Sequence, residues 1–164
     1  MAELPVNILF LGDAAELYGA FGPASATSMA AGFDLCAAFP YEQAADPDGP
    51  DVEFTVMPRE RLLVPTGIAI EPLEPGIAGF VYSRSGLGAA KGLTVAQGVG
   101  IIDPDYRGEI LVYLLNTASM PITLRRGDRI AQLVFQSFYR PRWRRCETLG
   151  ETERGTGGFG HTGQ

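Results

Sequence analysis

Lysine is almost absent from this chain: Lys91 is the only one among 13 basic residues. Histidine occurs once and cysteine twice, with Cys36 and Cys146 far apart and no CxxC pair. No zinc site of the usual Cys/His kind assembles within one such chain, and both thiols read as buried and inert. No apolar run approaches the roughly 20 residues that cross a bilayer, which speaks against a membrane partner. The opening Met-Ala-Glu-Leu-Pro lacks the basic segment of a signal peptide, so the expectation is a soluble, cytoplasmic protein. A formal charge of −6 argues against a general nucleic-acid-binding surface. No internal repeat is present.

What the chain does have is glycine and proline, 21 and 12 among 164 residues, spread along its length. With 46% apolar residues it can build a core, and the many breakers favour short strands over long helices. Strand patterns run over residues 6–11, 61–65, 67–70, 79–82, 99–102, 109–115, 122–124 and 129–135. Turn chemistry every 8–12 residues or so between them predicts a β-sandwich, jelly roll or barrel. Residues 13–18 have the composition of a helical turn, and residues 87–91 that of one short helix. The polar, acidic stretch 41–53 reads as a surface loop. Two domains of unequal weight result: a catalytic β domain over 1–139 and an arm over 140–164. That arm begins with the basic cluster Arg140-Pro-Arg-Trp-Arg-Arg145, ends in glycines, and cannot build a core of its own.

Five segments carry chemistry. Asp34 is a lone charge inside the small, apolar run 30–39, so it needs a partner or has a task. Ser83-Arg84-Ser85-Gly86 follows a strand and opens the short helix, where backbone N–H groups, a hydroxyl and an arginine fork form an anion cradle. Gly98-Val99-Gly100-Ile101-Ile102-Asp103 leads through Pro104-Asp105 to Tyr106-Arg-Gly108 and reads as a hairpin; its glycines let a planar ligand lie on exposed backbone. Gln132 sits in the apolar strand after Gly127-Asp-Arg129. The terminal Arg154-Gly-Thr-Gly157-Gly158-Phe159-Gly supplies a phosphate fork, free amides and a ring able to stack on a base. Taken singly, each has a plain structural reading as a cap, a turn, an edge strand or a tail.

Taken together and in order, Ala31-Gly-Phe-Asp34-Leu, Arg84-Ser-Gly86, Gly100-Ile-Ile-Asp103-Pro-Asp-Tyr106-Arg-Gly, Gly127-Asp-Arg-Ile-Ala-Gln132-Leu and Arg154-Gly-Thr-Gly-Gly-Phe159-Gly resemble the five motifs of the homotrimeric deoxyuridine triphosphatases (dUTPases). They cover about a fifth of the chain. The resemblance implies an all-β fold, a distorted jelly-roll or β-clip type barrel, assembled as a homotrimer whose active sites are shared between subunits. It implies hydrolysis of dUTP to dUMP and pyrophosphate, which limits uracil incorporation into DNA and supplies dUMP. By similarity Asp34 holds, through water, the Mg²⁺ that clamps the triphosphate. Arg84, Ser85, Gly86 and Gln132 bind phosphates, and Asp103 is the general base for in-line attack of water on the α-phosphorus. Gly98, Val99, Gly100, Ile101 and Ile102 read uracil with their backbone, and Tyr106 packs under the deoxyribose against a 2′-hydroxyl. Arg154, Gly157, Gly158 and Phe159 close over the nucleotide with the flexible arm.

Two rivals bound this reading. A dCTP deaminase resembles the same fold, but it needs an acid near the cytosine amine, and the stretch 110–114 (Ile-Leu-Val-Tyr-Leu) has none. A non-catalytic, regulatory relative would have lost Asp103, which is present here.

Overall fold

The structure is a computed structural model that describes residues 3–19, 22–40 and 52–158. Short antiparallel strands dominate it. In chain order they are β1 (Val6–Phe10), β2 (Phe33–Cys36), β3 (Glu53–Val56), β4 (Arg61–Pro65), β5 (Ile68–Pro72), β6 (Ile77–Ser83), β7 (Leu93–Val95), β8 (Val99–Ile102), β9 (Leu111–Asn116), β10 (Ile122–Arg125) and β11 (Arg129–Ser137). They form four small sheets: β1-β5, β3-β10, β4-β9-β7 and β2-β11-β6-β8. Neighbours in these sheets are mostly distant in sequence, as β2 and β11 are, so the chain winds around one core instead of zigzagging.

The core is aliphatic. Leu35, Ile68, Leu93, Ile110, Leu114, Leu124, Ile130 and Leu133 are all at most 2% exposed and join Phe39, whose ring lies 4.4 Å from that of Phe54. Truncating one such leucine to alanine costs about 3 kcal/mol. Polar groups that enter the core are satisfied. Asn116 donates to the Val56 and Met120 carbonyls and accepts from the Ala118 amide, while Thr66 donates to Ile110. The Tyr18 hydroxyl accepts from the Cys36 amide and donates to the Thr66 carbonyl; burial pushes its pKa well above the ordinary range. Gly67 turns the chain between β4 and β5 at φ +69°, where a Cβ would overlap that of Ala14.

Several expectations shift. The single short helix becomes two: α1 (Ala15–Tyr18), where a helical turn was expected, and α2 (Ser85–Ala90), which starts two residues earlier than its apolar signal and is wound with the wider π-type turn. The segment 98–109 is not a hairpin, because β8 pairs with β6 whereas β9 pairs with β4 and β7 in another sheet. It is a crossover between sheets. Cys36 is buried, and burial together with the Asp34 charge raises its thiol's pKa. Cys146 is exposed, since it lies beyond the last strand on a segment that packs against nothing. Among the described residues no helix is long and apolar enough to cross a membrane.

After Phe138, whose amide donates to Gly76, no hydrogen bond ties the described part of the arm to the body. Tyr139 and Trp143 are 94% and 87% exposed there. The acidic stretch 41–51, Phe159 and the rest of the C-terminus lie outside the described residues.

Candidate active site

Asp34 stands on β2 directly across from Gln132 on β11, and β11 pairs on its other side with β6, which ends at Ser83 just before Arg84. Sheet register therefore brings together three polar residues that lie far apart in the sequence. Arg84 closes the cluster: its Nε donates to Asp34 Oδ1 at 2.7 Å, its Nη2 to Oδ2 at 3.5 Å and its Nη1 to the Arg129 carbonyl at 3.1 Å. Gln132 Nε2 donates to the Ser83 carbonyl at 3.0 Å, and its Oε1 lies where a Cβ on Gly32 would have to go. That contact explains the glycine two residues before Asp34.

The donors are not exhausted. A guanidinium offers five N–H groups, of which Arg84 uses three here, and an amide nitrogen offers two, of which Gln132 uses one. Arg84 directly precedes Ser85 and Gly86, which open α2, and Gln132 meets the chain at Ser83 just before them. An open cleft of about 350 Å³ adjoins them, lined by Arg84, Gly86, Lys91 and Arg129, with Asp128 as its one acid. Its charge suits a polyanion.

Arg129 and Lys91 are additions that the sequence reading missed. Arg129 Nη1 donates to Asp34 Oδ2 at 3.1 Å. A register shift on β11 between Arg129 and Ala131 breaks the two-residue alternation, so counting along the strand does not put Arg129 beside Asp34. For Lys91 the only signal was its being the sole lysine; it follows the end of α2, the helix that Arg84 precedes.

The third segment is elsewhere. β8 is the edge strand of its sheet, so backbone groups along Gly98 to Ile102 face outward without a partner strand. Val99 and Ile101 are 39% and 63% exposed. Asp103 follows, exposed, one residue past the Ile102–Gly79 pair and hence level with Ala78. Five residues of β6 separate Ala78 from Ser83, roughly 17 Å of strand. Within one chain Asp103 thus stands apart from Asp34, Arg84 and Gln132. The turn after it is closed by the Tyr106 amide on the Asp103 carbonyl, and the Tyr106 hydroxyl donates to the Glu109 carbonyl at 2.9 Å. Arg107 bonds the Pro104 carbonyl and Glu71, and Glu71 also accepts from Asn7. The Asn7 amide and then the Arg107 charge hold the Glu71 carboxyl below its ordinary range. In the arm, Arg154 Nε donates to its own Gly157 carbonyl, and Gly158 is exposed; neither meets the cluster around Asp34.

A mostly β chain with a cationic cluster at one sheet end and an open edge strand has the features of a protein that binds a polyanion. Comparisons with known proteins narrow this. The dUTPase family model matches residues 22–163. Deoxyuridine 5'-triphosphate nucleotidohydrolase of Desulfitobacterium hafniense (strain DSM 10664 / DCB-2) is 45% identical over 141 residues, 86% of each chain. That of Shewanella halifaxensis is 40% identical over the same span and shares. Among solved structures, the dUTPase of Streptococcus mutans superposes with a TM-score of 0.64 at 26% identity, over 83% of this chain and 98% of that one. A Staphylococcus bacteriophage 80alpha dUTPase mutant with dUpNHpp reaches 0.74 at 22% identity, over 98% and 99%, a likeness of fold. The chain belongs to the dUTPase family.

Proposed function

We propose that this protein is a dUTP diphosphatase, hydrolysing dUTP to dUMP and pyrophosphate at sites shared between the subunits of a homotrimer. The observation that carries the reading is the meeting of Asp34, Arg84 and Gln132 at one sheet end, in a chain 45% identical to a dUTP nucleotidohydrolase.

The triphosphate lies along this cluster. Arg84, Ser85 and Gly86 take phosphate oxygens with the side-chain and backbone donors left free at the start of α2, and Gln132 adds its second amide hydrogen. Mg²⁺ fits the donors present. Among the described residues no group of three acids, histidines or cysteines could hold a metal, which fits an ion held chiefly by phosphate oxygens and water with Asp34 as the protein's contribution. A carboxylate has about four lone-pair directions; Asp34 fills three with Arg84 and Arg129, which leaves one for a metal-bound water. When bound, the ion neutralises the charge of the triphosphate.

Asp103 comes from a neighbouring copy. Its carboxylate orients a water in line with the α-phosphorus and accepts a proton as the water attacks; the bond to the pyrophosphate oxygen breaks on the opposite side. Negative charge growing on the non-bridging and leaving oxygens is met by Arg84 and the α2 amides. The edge of β8, from Gly98 through Val99, Gly100, Ile101 and Ile102, reads uracil: one carbonyl accepts from N3–H and one amide donates to O4, a pattern that cytosine inverts. Tyr106 lies under the sugar and leaves no room for a 2′-hydroxyl. Arg154, Gly157, Gly158 and Phe159 of an arm cover the nucleotide, the arm running over residues 140–164 beyond a catalytic domain of 1–139. Support for the assembly comes from the outer face of β4 and β9. Leu63 and Tyr113 pair there, Leu111 lies next to them, and all three are 40–50% exposed, an apolar strip that other copies would cover.

Product analysis with dUTP, dCTP, dTTP and UTP, each with Mg²⁺ and with chelator, tests the reading. Monophosphate and pyrophosphate are expected from dUTP alone and only with the metal. Ammonia from dCTP, or comparable turnover of UTP, would refute it.

A further inference from the structure

Arg107 belongs to the third segment but has no assigned role, and its contacts touch the loop that carries Asp103. Arg107 Nη1 donates to the Pro104 carbonyl at 2.7 Å and to the Tyr106 carbonyl at 3.2 Å, so its guanidinium straps the turn following Asp103 from inside. Its Nη2 donates to Glu71 Oε1 at 2.7 Å. The other carboxylate oxygen of Glu71 accepts from Asn7 Nδ2 at 2.9 Å. Asn7 and Glu71 are paired residues of β1 and β5, a two-stranded sheet separate from the one bearing β8. The turn after Asp103 is thereby fastened to a second sheet through one side chain.

We propose that Glu71, held by Asn7, is a positioning residue: through Arg107 it fixes the turn after Asp103 and so sets the aim of the general base. This rests on the assignment of Asp103 made above. The physical need is plain. Asp103 is exposed at the end of an edge strand, where the ladder to β6 stops, so beyond the single bond from the Tyr106 amide to its carbonyl no backbone pairing defines its direction. A single guanidinium that spans two carbonyls of the turn and a carboxylate on another sheet supplies the missing constraint. Misplacing a reacting group by an ångström costs on the order of a hundredfold in rate, whereas an exposed ion pair contributes little to global stability. The brace therefore acts on turnover and hardly on folding.

The test is steady-state kinetics on dUTP with the full-length protein, with thermal midpoint and oligomeric state measured alongside. Glu71→Ala and Arg107→Ala are expected to lower kcat by about five- to tenfold with KM within about twofold of the parent. The double variant should be no slower than the slower single one, because both remove the same strap. Glu71→Gln keeps an acceptor for Arg107 and should recover at least half of the lost turnover. Wild-type kcat in both alanine variants, effects that multiply in the double variant, a loss confined to KM, or a Gln variant no better than Ala would each overturn the proposal. Asp103→Ala in the same series separates the two layers. If it alone abolishes turnover while the brace variants match the parent, only the brace is wrong; if it leaves turnover intact, the base assignment fails first.

Discussion

Gly108 has no space for a side chain. A Cβ there would lie 2.3 Å from the Tyr106 hydroxyl oxygen and 2.6 Å from the ring carbon that bears it, because the Tyr106 side chain folds back to reach the Glu109 carbonyl. Gly108→Ala must therefore swing that ring away. If Tyr106 is the floor of the sugar site, the variant should lose roughly tenfold in preference for dUTP over UTP, a factor worth about 1.4 kcal/mol. Competition between the two nucleotides measures it, and an unchanged ratio removes Tyr106 from the discrimination. Asp103→Ala should retain binding of a non-hydrolysable dUTP analogue while kcat falls by about 10²–10⁴-fold, the usual contribution of a general base. At this scale order and spacing single out candidate residues, while their partners stay hidden. Nothing in the sequence pairs Asp34 with Arg129, or Arg107 with Glu71, because those contacts join separate strands.

Elements differ in how plainly the sequence announces them. β4 was legible at both ends because Arg61-Leu-Leu-Val-Pro is bounded by turn residues. β3 and β7 were not. Glu53-Phe-Thr-Val follows an acidic stretch and becomes a strand by pairing with β10, where the Thr55 and Thr123 hydroxyls meet at 3.0 Å. Leu93-Thr-Val is three residues long and exists through β9. Strands this short carry too little alternation to announce themselves, and their partners decide. The arm is the opposite case, since its composition alone predicts a segment without a core, and residues 139–156 are exposed throughout. Deleting residues 154–164 should leave the thermal midpoint within about 2 °C, as no hydrogen bond of the described arm supports the body, and should lower kcat/KM by at least about a hundredfold through loss of closure. A large drop in midpoint would show that the segment is structural.

For the whole molecule, the separation of Asp103 from Arg84 along β6 gives the proposed shared arrangement a test of its own. Two individually inactive proteins, Asp103→Ala and the arm truncation, should complement each other when unfolded and refolded together. With random mixing at equal amounts, a site that takes Asp103 and its arm from different chains is intact in about one case in four. Recovery of about a quarter of the parental activity is thus the expected outcome. No recovery would mean that both groups come from one chain and would rule out the shared arrangement.

The sequence by itself determined the β class, the strong turns and the family, because these follow from local preference, glycine and proline placement, and ordered motifs, which also single out the candidate groups. Tertiary structure alone decided which of those groups meet. Antiparallel register across β2, β11 and β6 joins Asp34, Gln132 and Arg84, while β8, an edge strand, carries Asp103 away from them. The same register turned an expected hairpin into a crossover between sheets. Register is set by the fit of many side chains to one common core, a non-local quantity that no stretch of chain contains.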